Sequence, residues 1–187
     1  MRMARFLLKA KSAIWGVALC SSLMLMLSAC DHYSHQLHSQ ALNNITPAAG
    51  TSLGFSDYLA MEYRDLAVYE NYRMMDYQAA EYFTKKAMAA SEGRNVQPSR
   101  VMDYDIAPEY QMALGQARAR LVDALHMSDR VANAPLLARA QAQYDCWIEQ
   151  QAESHQPGDI LACKFEFQSA LMALSSNRAT HSHKHDG

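Results

Sequence analysis

Glycine and proline are scarce in this chain, with 7 and 5 among 187 residues, and β-branched residues are few. A sequence this poor in turn formers and strand formers excludes a sandwich or barrel of many short strands. Its abundant alanine points to helices instead. No glycine-rich phosphate loop, no Ser-His-Asp order and no pair of carboxylates in a recognisable cleft can be assembled, so enzymatic activity is not expected. Basic charge is not in excess either: 17 Lys and Arg face 19 Asp and Glu. That balance argues against a nucleic-acid partner. Cysteine occurs only four times, without a Cys-x-x-Cys pair, which removes the simplest redox motif.

Long apolar runs are also missing, apart from one at the start. Arg2, Arg5, Lys9 and Lys11 precede an apolar segment from about Ala13 to Leu27, which ends in Leu27-Ser28-Ala29-Cys30. This is the pattern of a secretory signal with a lipobox, and the segment is short for a transmembrane span. Small residues before the cysteine let the backbone enter a peptidase cleft, while the Cys30 thiol takes a diacylglyceryl group. We therefore expect residues 1–29 to be removed and Cys30 to be the lipidated first residue of a bacterial lipoprotein. The alternatives are an ordinary signal peptide or an anchor with an incidental cysteine. Processing would leave 13 basic against 19 acidic residues, a formal charge of −6. Attachment to a membrane must then come from acyl chains, because an acidic surface is repelled by anionic lipid.

Residues 30–55 are polar and turn-rich and read as a lipidated flexible tether. Residues 56–176 read as the helical domain. Ser56 is an expected N-cap, followed by Leu59, Tyr63, Leu66, Tyr69 and Tyr72 on one face. A second helix is expected from Asp76 to Ser91, stopped by Glu92-Gly93. Around Arg73-Met74-Met75 nothing decides between two helices and one long one. A connection from 93 to 107 contains Pro98, and Pro108 opens a third helix to about Met127 with Leu114, Ala117, Leu121 and Leu125 inward. Pro135 starts a fourth carrying Leu137, Ala140, Tyr144 and Ile148. A fifth spans about Asp159 to Ser175, and residues 177–187 read as a disordered histidine-containing tail. The expected fold is all-α, a bundle of about five helices.

Cys20 leaves with the signal and Cys30 is acylated, so Cys146 and Cys163 remain in an oxidising compartment. Their midpoint falls at Ser154-His155, inside a turn. Residues equidistant from the turn of an antiparallel helix pair sit at one height, which places the two sulfurs level. A disulfide-stapled hairpin follows, contributing on the order of 3 kcal/mol. Cys146 lies opposite the Leu137–Tyr144–Ile148 stripe, so this reading requires the fourth helix to pack on both sides. The alternatives are an intermolecular bond, or redox chemistry with His155 as base.

The stretch "YDCWIEQQAESHQPGDILACKFEFQSAL", Tyr144 to Leu171, resembles the helical region that precedes the peptidoglycan-binding domain of alphaproteobacterial OmpA-like lipoproteins. The shared elements are Asp145-Cys146-Trp147, Glu149-Gln150, Gln156-Pro157 and Ala162-Cys163, with weaker likeness at Tyr77–Gly93 and Ala117–Leu125. The resemblance covers about Phe55 to Leu174 and implies an envelope role as scaffold or partner-binding surface. The α/β domain that grips peptidoglycan in that family has no counterpart here, so peptidoglycan binding is not carried over. Asp76 to Ala90 also looks like the second helix of a tetratricopeptide unit, but no copy follows at a 34-residue period.

His181, His183 and His185 alternate near the C-terminus, and His32, His35 and His38 follow Cys30. Closely spaced imidazoles can capture zinc, copper or nickel, which makes periplasmic metal binding the alternative function. No cofactor is expected. Of the tyrosines, Tyr63, Tyr69 and Tyr82 are expected in the core, and Tyr58 and Tyr77 at the surface. Asp31 is an inner-membrane retention signal in enteric bacteria, whereas the OmpA-like likeness implies the outer membrane, so the choice of membrane stays open. The expected function is a non-enzymatic, lipid-anchored, periplasm-facing module that binds an envelope protein.

Overall fold

The computed structural model describes Leu42, Ile45 and residues 52–185, with side chains to Arg178. The signal segment, Cys30 and most of the expected tether lie outside the described residues. The described residues are all-helical, with no strand among them. Five α-helices run in order: α1 Phe55–Tyr69, α2 Tyr77–Ser91, α3 Pro108–Met127, α4 Ala134–Glu153 and α5 Pro157–His185.

Gly54 is the N-cap of α1 in place of the expected Ser56, and Asp57 Oδ2 reaches back to accept its backbone N–H at 2.8 Å. That carboxylate also sits favourably at the positive end of the helix. The undecided stretch resolves as two helices. After Tyr69 the chain makes a π-helical turn, Glu70–Met74, and Met75 then adopts a left-handed conformation with φ 57°. The Asp76 N–H closes the turn on the Glu70 carbonyl at 2.9 Å. Asp76 then caps α2, accepting the N–H groups of Gln78 and Ala79 at 3.0 and 2.9 Å. The stop therefore needs neither proline nor glycine. It is made by an aspartate cap and one strained residue.

Helix α4 is central. Thirteen of its twenty residues are buried, including Ala138 and Ala142 on one side and Leu137, Tyr144 and Ile148 on the other. It packs between α1, α3 and α5, and small residues are what let neighbours approach on opposite faces. Tyr63, Phe83, Leu114, Leu121, Tyr144, Ile148 and Phe167 fill the core around it. Each such side chain contributes roughly 1.5–3 kcal/mol on burial. A smaller cluster of Ala124, Leu137 and Leu174 closes the end where α3 meets α4.

Several expectations need correction. The segment 30–55 is not a free tether throughout, because Leu42 and Ile45 are buried in the core and Arg64 donates to the Ile45 carbonyl at 3.4 Å. Helix α5 starts at Pro157, not Asp159, and continues to His185, so the backbone expected as a disordered tail from Asn177 is helical. Polar, alanine-containing sequence there has no helix breaker to stop it. Tyr69 is 40% exposed, not core, because repeated i+3 steps at 100° per residue carry it off the Leu59–Tyr63–Leu66 face within regular helix, and Tyr72, inside the π-helical turn, is exposed beyond it. Tyr58 packs partly against the core, while Tyr63 is fully buried, Tyr82 half-buried and Tyr77 exposed.

Candidate functional site

Cys146 and Cys163 are bonded, with Cα atoms 5.7 Å apart, and tie α4 to α5 across the Ser154–Gln156 turn. Around the staple, the Asp145-Cys146-Trp147 triplet sends three consecutive side chains in three directions, about 100° apart on a helix. Cys146 meets α5. Trp147 packs on Phe167, ring centroids 6.1 Å apart, with the Lys164 ammonium 5.2 Å from the Trp147 ring centroid. Asp145 turns the other way, into the interior. Arg139 on α4 adds an exposed ion pair to Glu166 on α5 at 2.7 Å.

Asp145 is fully buried and collects three donors. Tyr63 of α1 donates its hydroxyl at 2.5 Å, the Ser99 backbone N–H donates at 2.8 Å, and Lys86 of α2 forms an ion pair with the same carboxylate. Lys86 also donates to Ser99 Oγ at 3.0 Å. Tyr82 joins Ser99 Oγ at 2.7 Å and Tyr104 donates to Tyr82 at 2.7 Å. Arg118 of α3 donates to the carbonyls of Ser99 and Pro98 at 2.9 and 3.3 Å, and Gln141 to that of Val96 at 2.7 Å. The long connection between α2 and α3 is therefore a strap pinned at its middle. Burial, and then the charge of Asp145, push the Tyr63 hydroxyl well above the ordinary phenol range, so it stays a donor. Nothing in the sequence spacing brings Tyr63, Lys86, Ser99 and Asp145 together. Only the packing of α1, α2 and the strap on α4 does. The one available signal was an aspartate in a helix that must bury every face.

A second polar group gathers at the end of the bundle where the α1–α2 and α4–α5 turns lie side by side. Gln150 of α4 donates to Glu70 Oε1 at 3.1 Å and to Glu149 Oε2 at 3.3 Å, and Tyr69 donates to Asp159 Oδ1 at 2.9 Å. Glu149 and Glu153 meet carboxyl to carboxyl, and Glu153 meets Asp76 in the same way. Burial, followed by the charge of Glu153, raises Glu70 to about 7. Burial and the same neighbour raise Glu149 to about 9. The sequence spacing of these acids assembles no recognisable carboxylate pair; only the packing of the two turns brings them together.

Three shallow surface cavities among the described residues are lined by residues other than these acids. One, about 580 Å³, lies between α3 and α5 with Ala124, Leu171 and Leu174 in its wall and Arg120 and Arg178 among its polar residues. The others, about 680 and 270 Å³, lie at the end holding Gly54 and Asn133. Along α5, Leu161, Phe165 and Met172 stand 64, 64 and 63% exposed. At i, i+4 and i+11 they share one helix face, with exposed Gln168 between them.

Among the described residues no group of three or more His, Cys, Asp or Glu could hold a metal ion. His181, His183 and His185 are placed only as backbone within α5. No helix among the described residues is long and apolar enough to cross a membrane. Compared with known family models, curated proteins and solved structures, the chain matches none of them.

Proposed function

We propose that the chain is a lipid-anchored bacterial envelope protein, held to the membrane through acylated Cys30, whose helical domain faces the periplasm and binds an envelope protein without catalysis. The anchor rests on the basic n-region and the Leu27–Cys30 lipobox. The observation that carries the binding reading is the α5 stripe: three large apolar side chains, each more than 60% exposed, on a helix stapled to the centre of the core. An apolar row on a rigid helix is the form in which helix-in-groove partners are presented. The likeness of Tyr144–Leu171 to the helical region of OmpA-like lipoproteins agrees with an envelope role and adds no peptidoglycan site.

The test has two arms. Palmitate labelling of cells should mark the wild type and not Cys30→Ser. Phe165→Glu should keep the folded spectrum and melting temperature while losing the protein partner recovered with the wild type from crosslinked cells. A C30S variant that still takes up palmitate refutes the anchor. An F165E variant that retains every partner refutes the stripe.

A further inference from the structure

At the end of the bundle where two turns meet, acceptors face acceptors. Glu70, from the π-helical turn, is 1% exposed, and its Oε2 has no hydrogen-bond partner. Gln150, from α4, is also 1% exposed. Its amide N–H₂ is spent on Glu70 and Glu149, and its Oε1 is buried with no donor. Glu149 and Glu153 are one helical turn apart on α4 with their carboxyl groups in contact, and Glu153 touches Asp76. Asp76 already accepts two backbone N–H groups as the cap of α2. Two charged carboxylates repel at such distances, and only a shared proton turns the contact into a hydrogen bond. The buried Gln150 oxygen lacks a donor as well.

We propose that this cluster is a proton-binding latch: protons shared among Glu70, Glu149 and Glu153 hold the α1–α2 turn onto the end of α4, and their loss releases it. Each neighbouring element adds to the repulsion in the unprotonated form. Asp76 bears on all three from the cap of α2, and Asp159 bears on Glu70 from the start of α5. His155, in the exposed turn after α4, favours the charged form of Glu153, and Arg73 lies on the outer side of the π-helical turn near Tyr69. The released element is itself poised to move, since Met75 holds a left-handed conformation that packing must sustain. It also carries the exposed Tyr72, Met75 and Tyr77, so opening would change the surface offered at this end.

The direction follows from linkage. The folded latch binds protons that the unfolded carboxyls, titrating near 4.5, have already lost at neutral pH. Stability is therefore highest in acid and falls as pH rises. Each proton held only by the folded form lowers the folding constant about tenfold per pH unit over that window.

The experiment uses the full chain with its disulfide intact and follows thermal unfolding from pH 5.5 to 9.5, with and without calcium. The wild type should melt several degrees lower at pH 9 than at pH 6. Glu149→Gln, which imitates the protonated acid, should flatten that slope and melt above the wild type at pH 9. Glu109→Gln, on exposed α3 surface, should leave the slope alone. Infrared spectra of the wild type at pH 7 should show a carboxylic-acid carbonyl absorption, which decides the matter even if E149Q fails to fold. A pH-independent melting temperature or no such absorption overturns the latch. Calcium stabilisation at pH 9 overturns it as well, since the cluster would then be a cation site.

Discussion

Replacing Asp145 with Asn should be the most damaging single-atom change in the domain. The substitution keeps the shape and removes the charge from a fully buried group that now receives three donors. Lys86, only 16% exposed at its side chain, would be left without its counter-charge, while an amide nitrogen would face either the Ser99 N–H or the Tyr63 hydroxyl. Removing one partner of a buried ion pair costs about 3–5 kcal/mol, and leaving a neighbouring donor unsatisfied costs a further 1 kcal/mol or so. With about 2 kcal/mol per molar for the urea dependence, the midpoint should fall by about 2–3 M. Urea unfolding of the oxidised chain reads this directly. Asp145→Leu combined with Lys86→Met should recover much of the loss, because two apolar groups leave no buried charge behind. Hydrogen exchange at the Ser99 amide should accelerate far more in the single variant than at core amides of α3, since Asp145 pins the strap. A midpoint within 0.5 M of wild type for D145N, or a double variant no better than the single one, would refute the view that this network holds the strap and helices together.

Other outcomes follow from the same structure. Oxidised protein should weigh two hydrogens less than reduced protein, and reduction should cost about 3 kcal/mol in unfolding experiments; two free thiols in protein isolated without reductant from an oxidising compartment would contradict the staple. Met75→Gly should stabilise by about 1 kcal/mol, since φ 57° is strained for methionine and the side chain is 63% exposed; a loss of stability in thermal melts would mean that Met75 packs more than its exposure implies. Deleting residues 180–187 tests the metal alternative by titration. Unchanged zinc and copper affinity removes the histidines from consideration, while loss of affinity would revive that reading.

The helices were legible because their apolar periods are regular and Pro108, Pro135 and Pro157 sit at or next to three of their starts. The symmetric spacing of Cys146 and Cys163 about a turn placed the staple, and with it the requirement that α4 pack on both faces. Less legible were features that depend on distant contacts. Lys86 and Glu149 look like ordinary surface charges on their own helices, and only the neighbouring element turns them inward. The π-helical turn at Glu70–Met74 has no strong local signal, and the face expected to continue through Tyr69 and Tyr72 had already begun to drift off the core stripe at Tyr69, so both tyrosines stand in solvent. Leu42 and Ile45 are two apolar residues in a polar stretch, too few to show a period, yet both are buried.

The central claim is that the α5 stripe is where a partner docks. Site-specific photocrosslinking in intact cells tests it most directly, with the reactive residue placed at Phe165 in one strain and at Met112, exposed on α3, in another. The proposal predicts a discrete envelope-protein adduct from position 165, absent from position 112 and lost when Leu161 and Met172 are both changed to Glu. The same adducts from both positions, or none from position 165, would contradict it.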